Sequence, residues 1–159
     1  MKQNVISWDQ YFMGIAHLSA LRSKDPNTKV GACIVNPDKR IVGIGYNGLP
    51  SGCEDDEFPW QREGNLLDTK YPYVVHAELN AILNSTTSLK GCTLYVSLFP
   101  CNECAKALIQ AGVKKICYES DKYADTEIVK ASKRMLNAAG VELVQLSEAI
   151  EVSLNIKAV

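Results

Sequence analysis

The first strong pattern along the chain is helical. Trp8, Tyr11, Phe12, Ile15, Leu18 and Leu21 recur every three or four residues, behind Ser7 as N-cap and Gln10 at the third helical position, a capping-box arrangement. The spacing predicts an amphipathic helix that buries this stripe and runs down at Asp25-Pro26, because a residue before proline avoids the α region. Two β-type runs follow at 30–35 and 40–46, separated by Asn36-Pro37-Asp38-Lys39, whose turn chemistry predicts a hairpin. From 47 to about 73 periodicity disappears among Gly48, Gly52, Gly64, Pro50, Pro59 and Pro72. A stretch of this length without regular structure is more often functional than incidental.

Beyond it the pattern alternates: a helix from about 76, a strand at 93–98, a helix at 101–111 and a strand at 115–118. A helix at 126–139, closed by Gly140, and a strand at 141–146 complete it. Alternation of this kind implies parallel strands joined by right-handed crossovers. The expected fold is α/β, a three-layer α/β/α sandwich with a mixed sheet of about five strands and the hairpin at its edge. The tail 147–159 predicts a short helix or strand, and residues 1–159 read as one domain.

Composition narrows the function classes. The 17 Lys and Arg nearly balance the 18 Asp and Glu, for a net charge of −1, which argues against a nucleic-acid polymer as partner. It leaves room for a single nucleotide, whose phosphate needs only a few local cations. No apolar run approaches the roughly 20 residues of a membrane span. Of the six cysteines, Cys33, Cys92 and Cys117 sit in apolar runs and Cys53 stands alone. These read as reduced thiols, as expected of a cytoplasmic protein.

Cys101 and Cys104 are different. They sit at i and i+3 at a helix start, share one helical face, and lie where the helix dipole favours thiolates. Pro100 before them suits a helix entrance. His76 opens the preceding helix, and a helix followed by a strand returns the chain to the same sheet edge. Three protein ligands with a fourth position open are the arrangement of catalytic rather than structural zinc. Glu78 falls two residues after His76. In mid-helix the two would point to nearly opposite faces, but at a helix start both reach one site, where a carboxylate takes a proton from water and hands it to a leaving amine. C-x-x-C alone is compatible with redox chemistry, and His-x-Glu alone is a common accident. Together, His76-x-Glu78 and Pro100-Cys101-x-x-Cys104 match the signature of the zinc nucleobase deaminases.

The likeness reaches further. LSALRSKDPNTKVGACIV, GIGYNGLPSGC, LDTKYPYVVHAELNAI and LYVSLFPCNECAKALIQAG make residues 8–140 resemble the deoxycytidylate deaminases of the zinc-dependent cytidine/deoxycytidylate deaminase superfamily. That resemblance implies conversion of dCMP and water to dUMP and ammonia, supplying thymidylate synthesis. It implies a phosphate role for Ser23 and Lys24, with Asn47 on a sugar hydroxyl, the Ala77 N–H on the base carbonyl and Tyr123 closing over the nucleotide. Without it, Arg22-Ser23-Lys24 would read as a solvated basic helix end. The resemblance also implies activation by dCTP and inhibition by dTTP, each with Mg²⁺, at a separate site. Gly48, Gly52, Arg62 and Lys70 are the residues expected there. It implies a homo-oligomer, usually a hexamer. The extra Cys/His pair of some phage relatives is missing, so one Zn²⁺ per chain is expected.

Two other readings stay open: a zinc deaminase acting on tRNA adenosine, free cytidine or a pterin- or riboflavin-pathway base, and a non-catalytic zinc module that senses nucleotides. A balanced charge weakens the tRNA reading, and a carboxylate beside an open metal position has no use in a pure binding module.

Overall fold

A computed structural model of the chain describes residues 4–159. Helix α1 (Trp8–Ala20) precedes the hairpin β1 (Gly31–Val35) and β2 (Ile41–Tyr46). Then come α2 (Ala77–Asn84), β3 (Thr93–Leu98), α3 (Asn102–Ala111), β4 (Lys115–Ser120), α4 (Glu127–Ala138) and β5 (Glu142–Gln145). The sheet order is β2-β1-β3-β4-β5, with β1 antiparallel to both neighbours and β3, β4 and β5 parallel. The expected three-layer α/β/α fold is the one observed, with the hairpin at one edge.

Alternating residues of β1 divide between two cores, as the pleat requires. Cys33 and Val35 pack with Phe12, Met13 and Ala16 of α1 on one face. Ala32 and Ile34 join Leu94, Val96 and Ile116 on the other, under α2, α3 and α4. Both faces are covered, which is why β1 is buried along its whole length. Cys33, Cys92 and Cys117 are free, buried thiols inside this packing. Burial pushes the Cys33 thiol up to about 12 and Cys117 to about 11.

The capping box at Ser7 and Gln10 forms as expected. The buried face of α1 does not follow the expected stripe. Phe12, Met13, Ala16 and Ala20 are buried, whereas Trp8 is 53% exposed and Tyr11, Leu18 and Leu21 are exposed with it. The reason is close approach: a Cβ on Gly31 would lie 1.7 Å from the Ala16 carbonyl oxygen and 2.8 Å from the Ala20 nitrogen. The helix backbone therefore rests on β1 at Ala16 and Ala20, where only small side chains fit, while Phe12 and Met13 pack farther along β1 on Cys33 and Val35. The helix also ends at Ala20, earlier than Asp25-Pro26 suggested, and passes into a turn at Leu21 and Arg22.

The tail forms no regular element. It is tied down instead, with Ile150 packed against the α1 side of the sheet and its N–H donating to Glu119 Oε2. The His17 ring bonds the other Glu119 oxygen, so α1, β4 and the tail meet at one carboxylate.

Candidate active site

Three helix N-termini face one cavity of about 400 Å³ beyond the carboxyl ends of the parallel strands, the usual ligand position in α/β sheets. His76 is the N-cap of α2, Cys101 of α3 and Thr126 of α4, and all three line the cavity. Each has extended backbone, so its side chain is not bound to the helical repeat. This is how His76 and Glu78, two apart, reach the same cavity. Cys101 Sγ accepts the Cys104 N–H at 3.5 Å, which folds the C-x-x-C segment into a cap. Ser132 Oγ of α4 donates to the Pro100 carbonyl at 2.8 Å and locks that segment to its neighbour.

His76 Nδ1 lies 3.4 Å from Cys101 Sγ and 3.5 Å from Cys104 Sγ, and all three donor atoms fall within 4.8 Å of one another. Tetrahedral zinc with ordinary Zn–S and Zn–N bonds separates such donors by about 3.6 Å. The donor set therefore fits zinc in both chemistry and spacing. Contact with Cys104 holds the Cys101 thiol down to about 4 despite burial, and Cys101 pushes the Cys104 thiol up. The Cys101 sulfur in turn raises His76. Glu78 is buried, and burial raises its carboxyl, against opposing pulls from Cys104 and His76. A carboxyl in this position, beside the three donors, is placed to accept and return a proton.

A second polar cluster lines the far wall. Asp25, Asn47 and Lys70 are all buried there. Asp25 Oδ1 accepts the N–H groups of Asn27 and Thr28, and Oδ2 accepts Lys70 Nζ at 2.5 Å and, at 3.4 Å, Asn47 Nδ2. Burial pushes the Asp25 carboxyl up, but Lys70 and the two backbone N–H groups more than offset it, leaving it below its ordinary value. A depressed carboxyl stabilises the fold above its unfolded value of 3.8, and that contribution fades as pH falls through the lower folded value.

The expected substrate residues divide. Asn47, Ala77 and Tyr123 line the cavity, and Ser23 and Lys24 do not. Ser23 is buried, with its hydroxyl donating to the Asn47 carbonyl at 2.9 Å, and Lys24 is paired with Asp55. Both lie beyond the end of α1, past the turn at Leu21 and Arg22. Of the four residues expected at a separate regulatory site, Arg62 and Lys70 line this same cavity, whereas Gly48 and Gly52 do not. Gly48 instead bridges to Val75, one residue before His76.

A sequence model described as the cytidine and deoxycytidylate deaminase zinc-binding region matches residues 6–120. The chain belongs to the cytidine and deoxycytidylate deaminase family. Deoxycytidylate deaminase from Homo sapiens is 59% identical over 142 residues, covering 88% of this chain and 80% of that protein. Among solved structures, the dCMP deaminase of the cyanophage S-TIM5 in complex with dCMP and dUMP is 32% identical. Its TM-score is 0.69, with 86% of this chain and 95% of that chain covered. RibD from Acinetobacter baumannii is 28% identical with a TM-score of 0.61, covering 87% of this chain but 35% of that one. The chain is thus an enzyme of the deaminase class with a zinc-binding His/Cys/Cys site. No helix among the described residues is long and apolar enough to cross a membrane.

The sequence reading missed Asp25 as a site residue, treating it only as the end of a helix. Its signal is local: Asp-Pro-Asn-Thr is the composition of an Asx turn, which folds a carboxylate back onto the next N–H groups. The partner Lys70 has no such signal, lying 45 residues away.

Proposed function

We propose that the chain hydrolyses dCMP to dUMP and ammonia with one Zn²⁺ held by His76, Cys101 and Cys104. The observation that carries this is the buried Glu78 in the same cavity as the three zinc donors, in a family whose relatives include deoxycytidylate deaminases. Zinc, when bound, supplies the Lewis acidity that makes water nucleophilic near neutral pH. Glu78 takes the proton from water as it attacks C4 of the cytosine and returns it to the departing amine. The Ala77 N–H sits in the first turn of α2, where backbone donors lack intrahelical partners, and is available to the base carbonyl. Asn47, fixed by its bonds to Val30 and Thr28, is the residue for a sugar hydroxyl. Tyr123 is 39% exposed at the cavity and closes over the nucleotide.

The same reading takes in a cytoplasmic enzyme that supplies thymidylate synthesis and forms a homo-hexamer. The exposed Trp8, Tyr11, Leu18 and Leu21 of α1 support assembly. It also takes in activation by dCTP and inhibition by dTTP, each with Mg²⁺, outside the zinc cavity. An open concavity of about 760 Å³ beside Trp60 and Gln61, on the long loop, offers room for such an effector.

A substrate panel tests the reaction. With dCMP, dCDP, cytidine, deoxycytidine and dAMP followed by ultraviolet absorbance, dCMP should be turned over with the highest kcat/KM. Faster loss of cytidine or deoxycytidine would overturn the substrate.

A further inference from the structure

A nucleoside monophosphate differs from its nucleoside by a dianion, so selecting it requires a cation that is not already spent. Two cationic side chains, those of Lys70 and Arg62, line the cavity besides the zinc-site histidine. Lys70 is buried and held at 2.5 Å by the buried Asp25 carboxylate, so the two charges cancel. Outside the lining, Lys24 is paired with Asp55 and Lys133 with Asp121. Arg62 takes part in no ion pair among the described residues.

Its backbone is nevertheless well placed. The Lys70 N–H donates to the carbonyl of Gln61 at 3.0 Å, and Asn27 Nδ2 donates to the carbonyl of Trp60 at 3.1 Å. These two bonds tie the residues just before Arg62 to the Asp25–Lys70 wall. Arg62 and Tyr71 both border the zinc cavity and the open concavity beside it. A nucleotide whose base is seated at the zinc donors needs a cation on the wall of this cavity for its phosphate, and Arg62 is on that wall.

We propose that Arg62 binds the 5′-phosphate of the substrate and is the residue that selects a nucleotide over a free nucleoside. The proposal rests on the dCMP reading and adds a phosphate site that replaces the expected Ser23-Lys24 pair. A guanidinium presents two parallel N–H donors to a phosphate, a geometry lysine does not reproduce.

The test is equilibrium binding of dUMP and of deoxyuridine to the zinc-loaded protein by titration calorimetry. Arg62→Ala should weaken dUMP by about 30-fold or more, as expected for losing a charge-assisted hydrogen bond. Any loss for deoxyuridine should be at least about tenfold smaller. Arg62→Lys should fall between Arg62→Ala and the wild type, retaining charge without the fork. The ratio of kcat/KM for dCMP over deoxycytidine should drop in parallel. A dUMP-to-deoxyuridine affinity ratio within about 3-fold of wild type in Arg62→Ala would place the phosphate elsewhere and overturn the proposal alone. A wild-type protein that binds dUMP no better than deoxyuridine would overturn the dCMP reading as well.

Discussion

Glu78→Gln is expected to keep zinc at one ion per chain and to lower dCMP turnover by about 10³-fold. Glutamine preserves the size of the side chain and its place in a site where Glu78 is only 5% exposed. It removes the ability to accept a proton from water and return it to the leaving amine. The zinc donors are His76, Cys101 and Cys104, so the substitution takes nothing from the metal's protein ligands. Absorbance-monitored turnover together with metal analysis separates the two effects. Turnover within about 3-fold of wild type in zinc-loaded Glu78→Gln would remove this residue from the mechanism, whereas loss of zinc would make it a structural group.

The second large effect is expected at a residue that does not itself line the cavity. A Cβ on Gly45 of β2 would lie 2.3 Å from the Ala77 carbonyl oxygen and 2.4 Å from the Ala81 nitrogen. These are backbone atoms of α2, which cannot step aside as a flexible side chain would. Gly45→Ala must therefore push α2 away from the sheet, and overpacking of this kind costs about 3 kcal/mol. Because α2 begins at His76 and carries Glu78, the displacement also opens the site, and zinc affinity should fall with stability. Urea denaturation with parallel zinc analysis measures both. A stability change under about 0.5 kcal/mol with normal zinc content would show that α2 does not rest on β2 as described.

What the chain reveals before folding follows from how local each signal is. The zinc donors and Glu78 were legible because two short segments carry them and their chemistry fixes their spacing. The layers were legible because α/β alternation is written in the hydrophobic pattern, and β3 was found at the residues expected. The buried face of α1 was not, since the large apolar residues outweigh Ala16 and Ala20 in any reading of periodicity. Contact with Gly31 of β1 is what buries Ala16 and Ala20 in line with Phe12 and Met13. The far wall was hidden for a related reason: Asp25 and Lys70 meet across 45 residues, and the loop that carries Lys70 and Arg62 has no periodic pattern. Ser23, expected at a phosphate from the resemblance, is buried with its hydroxyl donating to the Asn47 carbonyl, a contact across 24 residues that no local pattern signals.

If His76, Cys101 and Cys104 hold the ion that activates water, dCMP turnover must follow zinc occupancy. Protein stripped of metal by a chelator is titrated with Zn²⁺ while dCMP turnover is recorded. Turnover should rise from near zero in proportion to bound zinc and level off at one ion per chain. Full turnover of dCMP by the stripped protein, or none by protein holding one zinc per chain, would contradict the account.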